Sequence, residues 1–216
     1  MNKPVIGVLA LQGAFIEHEK KLSQLGAECF EIRQLSDIDR SFDGLVIPGG
    51  ESTVQKKLLH ELGLYEPLKE KMRNGLPVFG TCAGMILLAE KIDGGEEPCF
   101  GTMPFTVKRN AYGRQLGSFF AEADFAGKSV PMTFIRAPYA SDPGKTEVLS
   151  TVDGKTAAVR YNKQLAIAFH PELNADTFVH EYFLNMIGIT KRINRAVNIP
   201  NVSSTPGPPA TRIAAA

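Results

Sequence analysis

Short apolar runs alternate with amphipathic stretches through the first half of the chain. PVIGVLA (4–10) is a β-branched run that predicts a buried strand ending in a glycine turn. AFIEHEKKLSQL (14–25) follows, with Phe15, Leu22 and Leu25 near helical spacing and Gly26 as its stop. AECFEIR (27–33) alternates as a second strand, and DGLVIPGG (43–50) is a third apolar run closed by Pro48 and Gly49. Ser52 or Thr53 is expected to cap a helix with Val54, Leu58, Leu59 and Leu62 on one face. Gly63 breaks it, and a second helical piece runs to Asn74-Gly75. LPVFG (76–80) predicts a fourth strand, and AGMILLAEKI (83–92) a helix. This alternation predicts an α/β fold with a mostly parallel sheet and helices on both faces, a three-layer sandwich.

The pattern changes after residue 98. MPFTVKR, SFFAEA, PMTFIRA, TEVLSTV, AAVRYN and QLAIAFH follow in quick succession, separated by Gly, Asp, Asn and Pro. They predict added, partly antiparallel strands built onto the first sheet. A helix at about 175–188 carries Phe178, Tyr182, Phe183 and Met186. There is no internal repeat and no linker of domain scale, so residues 1–190 read as one domain. Residues 191–216 end in a Pro-, Ser- and Ala-rich stretch with few large apolar side chains, which is expected to form a mobile tail, with an ordered strap along the surface as the alternative.

Composition narrows the classes. The 216 residues include 24 Lys+Arg against 23 Asp+Glu, a formal charge of +1 that gives no electrostatic case for nucleic acid or an anionic membrane. A hydrophobic content of 44% suits a globular core. The N-terminal apolar run faintly resembles a signal peptide, but Gly7, Gln12 and Gly13 interrupt it. No run approaches the roughly 20 apolar residues that span a bilayer. Three widely spaced cysteines, Cys29, Cys82 and Cys99, make no disulfide framework and suit a reducing cytoplasm. CxxC and HExxH spacings are absent, so no metal site is expected.

Candidate chemistry begins at Gly80-Thr81-Cys82-Ala83-Gly84. G-x-C-x-G between a strand and a helix is the setting of a nucleophile elbow, with cysteine in place of serine. The flanking glycines permit a sharp turn, the helix start favours thiolate, and the Ala83 amide would face an oxyanion formed on an attacked carbonyl. Free cysteines are also commonly buried fillers, and the pattern alone leaves both readings open. A base is offered by Phe169-His170-Pro171-Glu172. A residue before proline favours extended geometry, where i and i+2 point the same way about 7 Å apart, so His170 and Glu172 can converge, while an exposed turn with an ordinary histidine stays equally open. His18, His60 and His180 lie among charged neighbours on predicted helices and read as solvated-face residues. Pro48-Gly49-Gly50-Glu51-Ser52-Thr53 exposes backbone N–H groups between a strand end and a helix start, without the P-loop signature. Taken alone, it is an ordinary helix-start turn.

PGGEST, GTCAG and FHPE, together, resemble the class I glutamine amidotransferases and their Cys-His-Glu triad. GVLALQGAFIEH (7–18), PGGEST (48–53), GTCAGMI (80–86), RNAYGRQ (109–115), FIRAP (134–138) and FHPEL (169–173) narrow the resemblance to the glutaminase subunits of pyridoxal 5′-phosphate synthases, over about residues 4–188. The resemblance implies that Cys82 attacks the side-chain amide of L-glutamine, that His170 is the general base and acid, and that Glu172 orients it. It implies oxyanion N–H groups from Gly50 and Ala83, and substrate contacts from Gly49, Gly50, Glu51, Arg109, Ile135 and Arg136. Arginines suit the substrate α-carboxylate and Glu51 its α-ammonium group.

The same resemblance implies no cofactor, and a partner synthase subunit in a large hetero-oligomer that receives the ammonia. Gln12 is implied to lie near that interface and to take part in gating, with a flipping Gly49–Gly50 peptide as the gate. The readings carried beside this one are a glutaminase serving another synthase, against which RNAYGRQ and FIRAP argue, and a non-catalytic assembly subunit, against which the intact triad argues. A reactive-cysteine protein on a related fold shares the elbow but not the HPE pair.

Overall fold

A computed structural model describes residues 3–109 and 117–188, together with the backbone of 211–213. The first half runs β1 (Val5–Leu9), α1 (Phe15–Gln24), β2 (Glu28–Ile32), β3 (Gly44–Ile47), α2 (Ser52–Glu61), α3 (Tyr65–Arg73), β4 (Val78–Thr81), α4 (Ala83–Leu88) and β5 (Ala89–Ile92). The second half adds β6 (Met103–Lys108), β7 (Ser118–Phe125), β8 (Lys128–Ile135), β9 (Tyr139–Asp142), β10 (Glu147–Val152), β11 (Lys155–Tyr161), β12 (Gln164–Ile167), α5 (Phe178–Met186) and β13 (Thr211–Ile213).

The main sheet has the order β2-β1-β3-β4-β12-β11-β9-β6-β5, with β10 pairing β11 off this path. From β2 to β12 every pairing is parallel. Pairing turns antiparallel at β11 and stays so to β6, against which β5 lies parallel. Every residue of β3, β4 and β12 is buried, as both-face coverage by helices requires. β7 and β8 form a separate antiparallel ribbon and alternate buried and open positions, the mark of one covered face. One contiguous apolar cluster runs from Ile6 on β1 to Leu184 on α5.

Several expectations need correction. The apolar stretch 83–92 is not one helix: α4 stops at Leu88, and Ala89–Ile92 leaves as β5 beside β6. Tertiary pairing overrides a helical propensity that six residues cannot sustain alone. Neither Ser52 nor Thr53 caps α2. Glu51 holds the cap position without a side-chain cap bond, and Ser52 is already helical and buried. The buried face of α2 is Ser52, Gln55 and Leu59, while Val54 and Leu62 are exposed. β9 has no counterpart among the expected strands. His18 and His180 are fully buried, whereas His60 is exposed as expected.

In the expected tail, Thr211–Ile213 pairs antiparallel with Phe120–Glu122 of β7; residues 191–210 and 214–216 lie outside the described residues. So do residues 110–115 of the RNAYGRQ motif. Among the described residues no helix is long and apolar enough to cross a membrane, and no three His, Cys, Asp or Glu side chains are grouped to hold a metal ion.

Candidate active site

Four neighbouring strands, β1, β3, β4 and β12, run parallel and end at the same edge of the sheet. The loops beyond their carboxyl ends bring together Gln12-Gly13, Pro48-Gly49-Gly50, Cys82 and His170. An open α/β sheet places ligands at this edge, because there the chain leaves the sheet and exposes side chains and free amides.

Cys82 follows β4 directly. Its N–H donates to the Ile167 carbonyl at 2.8 Å, so the strand pairing with β12 continues up to this cysteine. At φ 48 and ψ −98 it lies outside the allowed regions for an L side chain, a strained backbone held by the surrounding sheet. The turn fits only because Gly84 has no side chain: a Cβ there would meet the Ile47 carbonyl oxygen at 2.2 Å, against backbone that cannot yield. Ala83 opens α4, so its N–H is one of the helix-start donors with no partner inside the helix. The thiol is 7% exposed and lies 3.8 Å from the Ile135 carbonyl oxygen.

His170 is positioned by the β8 backbone, its N–H donating to the Thr133 carbonyl at 2.8 Å. Asn174 braces the same turn, donating from Nδ2 to the carbonyls of His170 and Pro131 and accepting from the Thr133 hydroxyl. His170 Nδ1 and Glu172 Oε1 are 2.6 Å apart, both side chains buried. The expected convergence is present, but the backbone route differs. β12 ends at Ile167, and Pro171–Leu173 forms a 3₁₀ turn that swings Glu172 under the ring. Proline at the turn's first position needs no N–H partner there.

Burial works against the His170 imidazolium, but hydrogen bonds to the Cys82 and Glu172 side chains, with the charges on both, outweigh it and raise the ring to about 10. Burial also works against the Glu172 carboxylate, but His18 and His170 beside it hold it below the usual carboxylate range.

The glycine turn closes over this pair. A Cβ on Gly49 would lie 2.3 Å from His170 Cε1 and 3.3 Å from Cys82 Cβ, so the Gly49 backbone is packed onto both. The Gly49 carbonyl accepts the Ala14 N–H at 3.3 Å. Across a trans peptide the Gly50 N–H then points to the opposite side. Gln12 Oε1 accepts the Glu51 N–H at 2.6 Å, and Gln55 Nε2 donates to the carbonyls of Gln12 and Pro48. Gln12 therefore holds the turn from the neighbouring loop. Arg109 reaches Ser52 Oγ at 2.9 Å, Glu96 at 2.6 Å and Glu51 at 3.5 Å. Ile135 ends β8 and Arg136 follows it at the rim, both exposed.

Residues 8–189 match the model of the SNO glutamine amidotransferase family. The chain belongs to this family. Among its curated relatives is a pyridoxal 5′-phosphate synthase subunit PdxT of Methanocorpusculum labreanum, 60% identical over 187 residues, which cover 86% of this chain and 98% of the relative. A protein of the same name from Desulfitobacterium hafniense is 56% identical over 185 residues, 84% of this chain and 92% of the relative. A solved glutamine amidotransferase superposes with a TM-score of 0.80 at 42% identity, covering 85% of this chain and 98% of that one. The α/β sheet with its antiparallel extension is thus the fold of the amidotransferase family.

Sequence reasoning missed two buried histidines and one threonine of this site. His18 Nδ1 lies 3.0 Å from His180 Nε2, and His18 Nε2 lies 3.2 Å from Thr81 Oγ1 and 3.4 Å from Glu172 Oε2. A signal for the histidines was present. His18, Leu22 and Leu25 follow the i, i+4, i+7 spacing of one helix face, and His180 shares a face with Phe183 and Leu184. Adjacent glutamates in sequence drew attention to the wrong face of each helix.

Proposed function

We propose that the chain hydrolyses L-glutamine to glutamate and ammonia, and that the ammonia passes to the synthase subunit of a pyridoxal 5′-phosphate synthase in the cytoplasm. The observation that carries the reading is a strained, buried cysteine at a strand–helix elbow beside a histidine held by a buried glutamate at 2.6 Å. Glu172 occupies Nδ1 of His170, which directs Nε2 toward the thiol. In the proposed sequence His170 takes the Cys82 proton and the sulfur attacks the glutamine amide carbon. N–H groups of Gly50 and Ala83 stabilise the oxyanion. His170 returns the proton to the leaving nitrogen, ammonia departs, and a water activated by His170 releases glutamate from the thioester.

Gly49, Gly50, Glu51, Arg109, Ile135 and Arg136 are assigned to the bound glutamine. Arg109 is tethered to Glu51 and Ser52 at the mouth of the glycine turn, which supports a shared role in gripping the amino-acid end. Gln12, fastened to Glu51, is assigned to gating by the partner through the Gly49–Gly50 peptide. The names of the PdxT relatives and the high coverage in both directions support the synthase assignment. The test is glutamate release by wild type and Cys82→Ala, with and without the cognate synthase subunit. Turnover that requires Cys82 and rises with the partner is expected; undiminished turnover by Cys82→Ala would remove the nucleophile assignment.

A further inference from the structure

The triad reading uses one oxygen of Glu172. The other, Oε2, is buried, makes no hydrogen bond and has His18 Nε2 at 3.4 Å. A buried carboxylate oxygen without a donor is costly, so the ring facing it needs an explanation. That ring also lies 3.2 Å from the hydroxyl of Thr81, the residue immediately before the nucleophile. The Thr81 hydroxyl accepts the Gly49 N–H at 2.9 Å. On its far side His18 Nδ1 meets His180 Nε2 at 3.0 Å. Both rings are fully buried, and Phe79 packs edge-on against each, so neither has room to turn.

The hydrogen positions follow from electrostatics. With the proton on His18 Nε2, an N–H faces the carboxylate and Thr81, and Nδ1 accepts from His180 Nε2–H. The leftover group is then a bare His180 Nδ1, which has no partner. With the proton on His18 Nδ1 instead, a lone pair faces the Glu172 carboxylate and His180 must bury an N–H with no acceptor. A lone pair held against the carboxylate is the decisive cost, so the first arrangement holds. Burial lowers His18, with Glu172 and Glu17 opposing it and His170 reinforcing it, and burial lowers His180 well below the ordinary histidine range, which favours the neutral form of both rings. The titratable groups around His18 are Glu172, His170, His180 and Glu17, with Lys21 near His180.

We infer that His18 is a positioning residue for the glutaminase reaction: through Nε2 it holds the second oxygen of Glu172 and, through Thr81, the Gly49 end of the oxyanion turn, with His180 fixing its tautomer. One imidazole thus sets the base and the oxyanion donors in a common register. The inference rests on the triad reading, since a carboxylate that orients no base needs no positioning.

His18→Gln and His18→Asn separate position from packing. The glutamine amide nitrogen stands as far along its side chain as Nε2, the asparagine amide as far as Nδ1. Both are polar and smaller than the ring, so both lose similar packing. The readouts are the pH dependence of Cys82 alkylation by iodoacetamide in the full chain, and kcat for glutamate release with the cognate synthase subunit. In His18→Asn the acid limb of alkylation is expected to move up by about one pH unit and kcat to fall about tenfold or more, as the carboxylate and the Thr81 link lose the N–H that faces them. In His18→Gln both move back toward wild type. Thr81→Val, which removes only the hydroxyl link, is expected to lower kcat in the same way. Equal behaviour of the Gln and Asn variants, whether both impaired or both normal, overturns the inference, as does an unaltered kcat in Thr81→Val. Cys82→Ala run in parallel tests the triad: if it retains turnover, the triad reading falls first, whatever the His18 variants do.

Discussion

Replacing Gly49 by alanine adds one methyl group where the glycine turn packs on His170 and Cys82. Gly49 does not occupy the left-handed region, so alanine meets no backbone strain there and the effect is one of space. The new Cβ would lie 2.3 Å from His170 Cε1, 3.0 Å from His170 Nδ1 and 3.3 Å from Cys82 Cβ. Non-bonded carbons rest about 3.5–4.0 Å apart, so ring and turn must separate by roughly 1 Å. Neither is free to do so. The ring is bound to Glu172 at 2.6 Å, and the turn is bound through its N–H to Thr81 at 2.9 Å and through its carbonyl to Ala14 at 3.3 Å.

Overpacking of this kind costs about 1–3 kcal/mol of stability, which a fold with one large core tolerates. A displacement of about 1 Å at a reacting group costs about a hundredfold in rate. The assay is kcat for glutamate release at saturating glutamine with the synthase subunit present, beside a urea midpoint for the same variant. The expected result is a kcat near one hundredth of wild type with a cooperative, modestly shifted unfolding transition. A kcat within about threefold of wild type would refute the packing argument, because the methyl would then have found space without moving the base.

Two further outcomes follow from the ionisation of the site. Burial pushes the Cys29 and Cys99 thiols up to about 11, so one equivalent of iodoacetamide near neutral pH is expected to label Cys82 ahead of both; peptide mass mapping that finds either of the others labelled first contradicts this. His170 is raised from 6.5 to about 10 in the folded chain, so above pH 6.5 the unfolded chain gives up a proton that the folded chain keeps. Its contribution to stability is complete below pH 6.5 and is lost as pH rises through about 10. Glu172→Gln removes the hydrogen bond and charge that help raise the ring, so the decline in Tm across that window is expected to be shallower than in wild type; parallel curves for the two proteins would show that Glu172 does not hold the imidazolium.

Much of this protein is legible in one dimension because its information is local. The runs at 5–9, 44–47 and 78–80 are apolar on both faces, which a covered parallel strand needs and few other elements tolerate. The glycines around Cys82 announce a turn whose backbone excludes side chains, and the HPE triplet announces a histidine with a carboxylate two residues on. Local patterns failed where a partner strand or a helix face decided the outcome. Residues 89–92 carry helical character, yet they pair with β6 because that edge was open to them.

Residue types at short spacing announced the strand–helix elbow at Cys82, the His170–Glu172 pair and the class of sheet, but left Cys82 open between nucleophile and buried filler. Tertiary structure alone decided that His18 and His180 are interior. A histidine beside a glutamate looks solvated until the opposite helix face is seen to pack on Phe79 and Glu172. Glu172 meets His18 from 154 residues away in the chain, and no spacing rule spans such a distance. Only the sheet, by ending β1, β3, β4 and β12 at one edge, gathers Cys82, His170 and the glycine turn at one place, with the His18 ring beneath them against Thr81 and Glu172.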